Sequence, residues 1–241
     1  MKHLSYLFCF FFFAAGCSKA PQPHIQLQDF VDTTSVKILG QRLIDLPYGL
    51  NLLEPGEEEA KELFIGVHGG RSEGYEWIYP IKIIDTKKKE MYFYRWPDNG
   101  CFQDSAEKLI TSIEGILEQR SELTKVTVIG HSYGGILLTH LLNNWKNSVT
   151  FDAHIIASPL QGNISLNTLC GYKPTINIGP MVNLYEWRTQ QHLDSAFKDL
   201  PENPQNIFIE GSIVTELPNT YNGRRLGHNW SISWVAEKIL K

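Results

Sequence analysis

Apolar positions in this chain fall into short unbroken runs and longer stripes at helical spacing, and the two kinds alternate. The run at 62–67 predicts a buried strand that ends at His68-Gly69-Gly70. The run at 91–96 predicts a second, stopped by Pro97. Between 104 and 123, Ala106, Leu109, Ile110, Ile113 and Leu117 recur at the period of a helix. Val126-Thr127-Val128-Ile129 is a β-branched-rich strand, and 135–142 is apolar almost all round, as for a helix packed on a buried sheet. Strands are predicted again at 151–157, 182–187 and 207–214, with a short helix at 195–199 and a closing helix at 230–240. Residues 160–181 are rich in Gly, Asn and Pro without periodicity and read as a loop or small lid. Strands alternating with helices predict an α/β protein with a mostly parallel sheet and right-handed crossovers.

With 241 residues there is enough chain for one such domain with a full core. A hydrophobic content of 42% and a charged content of 20% argue against disorder. The formal net charge of −4, with no basic cluster beyond Lys87-Lys88-Lys89, makes nucleic acid an unexpected partner.

The N-terminus is set apart from this pattern. Lys2 precedes an apolar run from 4 to 13, which ends in Ala14-Ala15-Gly16-Cys17. About ten residues cannot span a bilayer as a helix, but they suit a secretory signal. The small residues before Cys17 resemble a bacterial lipoprotein signal, although Ala14 stands where that motif usually has leucine. The resemblance implies a signal peptide at 1–16, lipidation such as palmitate at Cys17, and a lipidated tether over 17–44 with Pro21 and Pro23 in its first part. With Ser18 after the cysteine, it implies an envelope location, in a Gram-negative cell the outer membrane. A plain signal cleaved near Ala15 or Ala20 is the alternative.

The chemistry gathers at Gly130-His131-Ser132-Tyr133-Gly134, between the strand at 126–129 and the helix at 135–142. A serine hydroxyl is a weak nucleophile until a sharp turn lifts it off the backbone, near a base and beside free N–H groups. Ser132 is the expected nucleophile, and the N–H of Tyr133 points where an oxyanion would form. The alternative is an ordinary strand–helix turn. For the base, His228 stands out among eight histidines: it lies in Leu226-Gly227-His228-Asn229-Trp230, just before the last helix. The orienting acid must lie between 132 and 228 near a strand end. Asp194 fits best, with Glu186 and Glu216 as rivals and Asp199 and Glu202 read as solvated charges. Gly70, then Arg71, is expected to supply a second oxyanion donor. Tyr75, Trp77 and Trp96 are either an apolar wall for an acyl chain or core.

Of four cysteines, Cys9 falls in the signal and Cys17 at its end. Cys101 and Cys170 remain in what would be an oxidising compartment, as a disulfide or as two thiols. Neither lies in a CxxC or Cys–His pattern, so no metal site is expected.

Gly130-His131-Ser132-Tyr133-Gly134-Gly135, the His68-Gly69-Gly70 loop and the late Gly227-His228 together resemble the α/β-hydrolase superfamily, lipase and esterase branch, over roughly residues 45–241. That resemblance implies an α/β-hydrolase fold, an eight-stranded, mostly parallel sheet with helices on both faces. It also implies hydrolysis of a small-molecule or lipid ester through an acyl-enzyme on Ser132, and no cofactor. An amidase or thioesterase would use the same parts. A non-catalytic envelope binding protein would keep the sheet and lose the geometry. The chain departs from the family pattern in its weakly marked acid and its lack of a large cap insertion.

Overall fold

A computed structural model describes residues 25–57, 59–85 and 88–240. Its strands β1 (Gly49–Glu54), β2 (Glu62–Val67), β3 (Lys89–Arg95), β4 (Lys125–His131), β5 (Thr150–Ile156), β6 (Val182–Arg188) and β7 (Ile213–Glu216) form one sheet in the order β1-β3-β2-β4-β5-β6-β7. β1 runs antiparallel to β3, and every other neighbouring pair in the sheet is parallel.

Strand side chains alternate between two faces, and here each face has its own core. Leu63, Ile65 and Val67 of β2 join one cluster with α3 (Gln103–Gln119) and α4 (Tyr133–Asn144). Phe64, from the same strand, joins the other, with α1 (Val36–Ile44), α2 (Tyr75–Ile84) and α6 (Trp230–Ile239). Burial on both faces is why β2 and β4 read as continuous apolar runs. The stripe from Ala106 to Leu117 is the buried side of α3. Among the described residues no helix is long and apolar enough to cross a membrane.

The structure departs from the sequence reading in several places. Among the described residues the sheet has seven strands where eight were expected, and a separate hairpin joins β8 (Thr220–Tyr221) to β9 (Arg224–Arg225). The packed body begins well before residue 45. Ile25, Phe30, Leu39 and Leu43 are buried, and α1 packs so closely on α2 that a Cβ at Gly40 would sit 2.3 Å from Tyr75 N. Residues 25–44 are therefore part of the domain and not a tether. Residues 1–24, with the expected signal and Cys17, lie outside the described residues.

The short helix expected at 195–199 is a turn, preceded by a 3-10 turn at Gln191–Leu193. The strand expected over 207–214 begins only at Ile213, because Gly211 turns the chain with φ of +83°. Within 160–181 only Ile164–Leu169 (α5) is helical, with the Asn163 side chain accepting from Leu166 N at 2.8 Å. Cys101 and Cys170 are joined in a disulfide that ties the end of α5 to the loop before α3.

Candidate active site

Ser132 occupies the turn between β4 and α4 with φ of +53° and ψ of −119°, a conformation that a residue with a side chain adopts only when its surroundings impose it. Those surroundings are tight. Ser132 N donates to Ile156 O at 2.9 Å, which ties the turn to the end of β5. A Cβ at Gly134 would lie 2.5 Å from Val67 O, so only glycine lets the start of α4 sit against the end of β2. A Cβ at Gly69 would lie 2.9 Å from the Ser132 Cβ, so the loop after β2 approaches the serine through its bare backbone.

That loop is braced by His68. Its Nδ1–H donates to Gly69 O at 2.8 Å, its Nε2 accepts from Arg95 Nη1 at 2.6 Å and from Trp96 N at 3.3 Å, and its carbonyl accepts from Trp96 Nε1 at 3.0 Å. Burial lowers the His68 pKa to about 4, so the ring is neutral and works as a strut. Of the two expected oxyanion donors in this loop, the Arg71 N–H is already given to an Asp98 carboxylate oxygen. The Gly70 N–H has no such acceptor among the described residues, and a Cβ placed on Gly70 would come within 3.8 Å of Tyr133. Tyr133 itself opens α4, where first-turn N–H groups lack intrahelical acceptors.

His228 precedes α6, and its side chain is nearly buried, with 11% exposure. Its Nδ1–H donates to Asp194 Oδ2 at 2.9 Å. The same oxygen accepts from Thr189 Oγ1 at 2.5 Å, and Asp194 Oδ1 accepts from Ala196 N at 2.8 Å. Asp194 has no solvent exposure, so the surrounding donors hold this carboxylate in place of water. Thr189 is in turn held by Gln205, whose Oε1 accepts from Thr189 N at 3.0 Å.

The backbone of His228 is fixed as well: its carbonyl accepts from His131 Nε2 at 3.2 Å and from Ser231 Oγ. Burial and then the neighbouring His228 hold His131 well below the usual histidine range, so it donates as a neutral ring. Of these supporting residues, Thr189 and Gln205 match no motif, His131 lies inside the serine pentapeptide without that motif assigning it this part, and Ser231 reads as a helix cap.

The rival acids are placed elsewhere. Glu186 is buried in β6, 2.7 Å from Arg188 Nη2 and 2.6 Å from Ser212 Oγ. Glu216 is exposed on β7, the last strand at its end of the sheet. Trp77 and Trp96 are buried core residues and do not line the site. Among the described residues Ser132 Oγ has no hydrogen-bond partner. It faces a cleft of about 680 Å³ bordered by Arg71, Tyr133, Leu166, Leu169 and the Cys101–Cys170 bridge. No group of His, Cys, Asp or Glu among the described residues is placed to hold a metal.

Strand order, crossovers, the strained serine turn after a central strand and the late histidine before the last helix define the α/β-hydrolase fold. Solved structures agree. Est1E from Butyrivibrio proteoclasticus is similar with a TM-score of 0.52 at 12% identity, over 79% of this chain and 91% of that one. The lipase BlEst2 from Bacillus licheniformis is similar with a TM-score of 0.51 at 14% identity, over 79% and 96%. The esterase domain of a Rhodothermus marinus protein gives 0.50 at 15% identity, over 79% and 89%. No protein-family model matches the chain, and no curated protein is significantly similar to it.

Proposed function

We propose that this protein is a serine hydrolase that cleaves carboxylic esters through an acyl-enzyme on Ser132. The observation that carries the reading is the buried Asp194 carboxylate 2.9 Å from Nδ1 of His228, whose carbonyl is bound by His131, the residue before Ser132 at its strained turn. A carboxylate there selects the His228 tautomer whose Nε2 is free to accept a proton, and it stabilises the imidazolium. Esterase and lipase neighbours of the same fold agree with ester cleavage.

In the proposed mechanism His228 Nε2 takes the Ser132 hydroxyl proton as Oγ bonds to the ester carbonyl carbon. The carbonyl oxygen becomes an anion held by the N–H groups of Tyr133 and Gly70. The tetrahedral adduct collapses, the bond to the leaving alcohol breaks, and His228 returns the proton to that oxygen. Water then attacks the acyl-enzyme in the same way and frees the acid and Ser132. The cleft beside Ser132, walled by Leu166, Leu169 and Tyr133, would take the acyl chain. We also propose that Cys17 carries lipid and anchors the domain to the bacterial envelope.

The test is labelling of the full chain with a fluorophosphonate, which needs an activated serine, together with hydrolysis of p-nitrophenyl esters of increasing chain length. The expected result is stoichiometric labelling at Ser132 and turnover of at least one ester. Neither labelling nor turnover would point to a non-catalytic binding protein.

A further inference from the structure

Resting on that hydrolase reading, we propose that Arg224 and Arg225 form a subsite for an oxyanion, a phosphate or carboxylate, carried by the leaving alcohol of the ester. His228 lines a second cleft, of about 320 Å³, whose other walls include Tyr75, Ser195, Arg224, Arg225 and Asn229. No Asp or Glu lines it. Arg42, Arg120 and Arg188 each meet a carboxylate, and Arg95 is held by His68 and Ile44 O, whereas Arg224 and Arg225, like the Arg71 guanidinium, have no carboxylate among the described residues. In a chain of net charge −4, two arginines without a carboxylate partner among the described residues, both lining the cleft beside the base, are a local reversal of sign.

The hairpin is anchored, and Arg224 is pre-positioned on it. The hairpin turns through Asn222 and Gly223, with φ of +50° and +71°, which suits a tight two-residue connection. Tyr221 packs edge-on to Trp230 at 5.5 Å and gives its hydroxyl hydrogen bond to Glu237, pinning β8 to α6. The Arg224 guanidinium lies 5.7 Å above the Trp230 ring, which supports the side chain while leaving its N–H groups free to donate. Asn229 Nδ2 donates to the Tyr75 hydroxyl at 2.9 Å, so among the described residues the Tyr75 proton is a further donor without an acceptor. The cleft thus adds a neutral donor to the two arginines.

Chemistry says which part of the substrate meets it. The group that protonates the leaving oxygen must touch that oxygen, so the alcohol lies on the His228 side and the acyl chain on the Ser132 side. A forked guanidinium recognises phosphate or carboxylate with two parallel hydrogen bonds. The class of substrate is therefore an ester with an apolar acyl chain and an alcohol that bears one anionic group.

The experiment measures kcat/KM of the full chain at low and high salt for four esters: 1-butyrylglycerol, its 3-phosphate, 3-butyrylglycerate and glycerol monosuccinate, whose acid is on the acyl side. We expect the phosphate or the glycerate, or both, to exceed 1-butyrylglycerol by about tenfold at low salt, shrinking at high salt. Which of them does so names the anion. In the Arg224→Gln/Arg225→Gln variant that ratio should fall to about one, a readout independent of the fraction folded.

A wild-type ratio of one, or a preference that survives in the variant, overturns the subsite. An equal gain for the succinate overturns its placement on the leaving-group side. Fluorophosphonate labelling without turnover of any of the four overturns the subsite alone. Loss of labelling as well overturns the hydrolase reading and the subsite with it.

Discussion

The Asp194 carboxylate and the His228 imidazole meet at 2.9 Å although 34 residues of chain separate them, and Asp194 is fully shielded from solvent. The carboxylate oxygen that accepts from His228 also accepts from Thr189, so its position is set by two donors on different segments. A base held this way has one tautomer and one orientation, which is what a nucleophilic serine requires of its partner.

Replacing Asp194 by Asn should lower kcat by about a thousandfold or more, because the amide favours the wrong His228 tautomer. Glu186→Gln, compared per folded molecule, should lower it far less, since Glu186 serves Arg188 and Ser212. Steady-state kinetics of the two variants decide between them. Equal losses would show that Asp194 does not orient the base.

Ser132→Ala should abolish fluorophosphonate labelling and reduce ester turnover by several orders of magnitude. The melting temperature should stay within a few degrees, because Ser132 Oγ makes no hydrogen bond among the described residues. Wild-type turnover in this variant would end the acyl-enzyme mechanism.

Stability should fall as pH drops from about 6.5 to about 4. Burial holds both His68 and His154 down to about 4 from an ordinary 6.5. Above 6.5 these groups are neutral in folded and unfolded chains alike. Below it the unfolded chain takes up protons that the folded one refuses, so stability is lost with acidification. The loss is roughly 3 kcal/mol for each ring once pH reaches the folded value. Melting curves from pH 7 to 4.5 check this; a flat melting temperature would contradict it.

The Cys101–Cys170 bridge closes a loop with a sequence separation of 69 residues. By chain entropy such a closure stabilises by about 4 kcal/mol, which for a domain of this size corresponds to a drop of roughly 10 °C in melting temperature when it is lost. The Cys101→Ser/Cys170→Ser variant, measured by calorimetry, should show that drop. Because the bridge borders the Ser132 cleft, the KM for long-chain esters should rise as well.

If Cys17 carries the proposed lipid on its sulfur, Cys17→Ser should move the protein out of the membrane fraction or leave the proposed leader uncleaved. Unchanged partitioning after fractionation and detergent extraction would remove the anchor.

What could be read from sequence was local in origin. The serine turn is a contiguous strand, turn and helix. Its chemistry follows from residues only a few positions apart, and the neighbouring apolar runs are buried on both faces and so read plainly. α1, α2 and β1 were not legible. α2 carries Pro80 inside it, and β1 is a half-buried edge strand with a bulge between Leu52 and Glu54. Such elements take their order from what they pack against and not from a pattern of their own.

The sequence by itself determined the fold class and the turn that carries Ser132, because those depend on neighbours along the chain and on the alternation of strand and helix; the expected order of Ser132, an acid and His228 came from the resemblance. For the acid it preferred Asp194 by its place in the chain, with Glu186 and Glu216 as rivals. Tertiary structure alone shows which of them meets His228. Strand alternation turns Glu186 toward Arg188, and β7 ends with Glu216 exposed. The 3-10 turn after β6 instead brings Asp194 under the loop that holds His228. A carboxylate's role depends on which donors surround it in space, and those donors come from segments that only folding brings together.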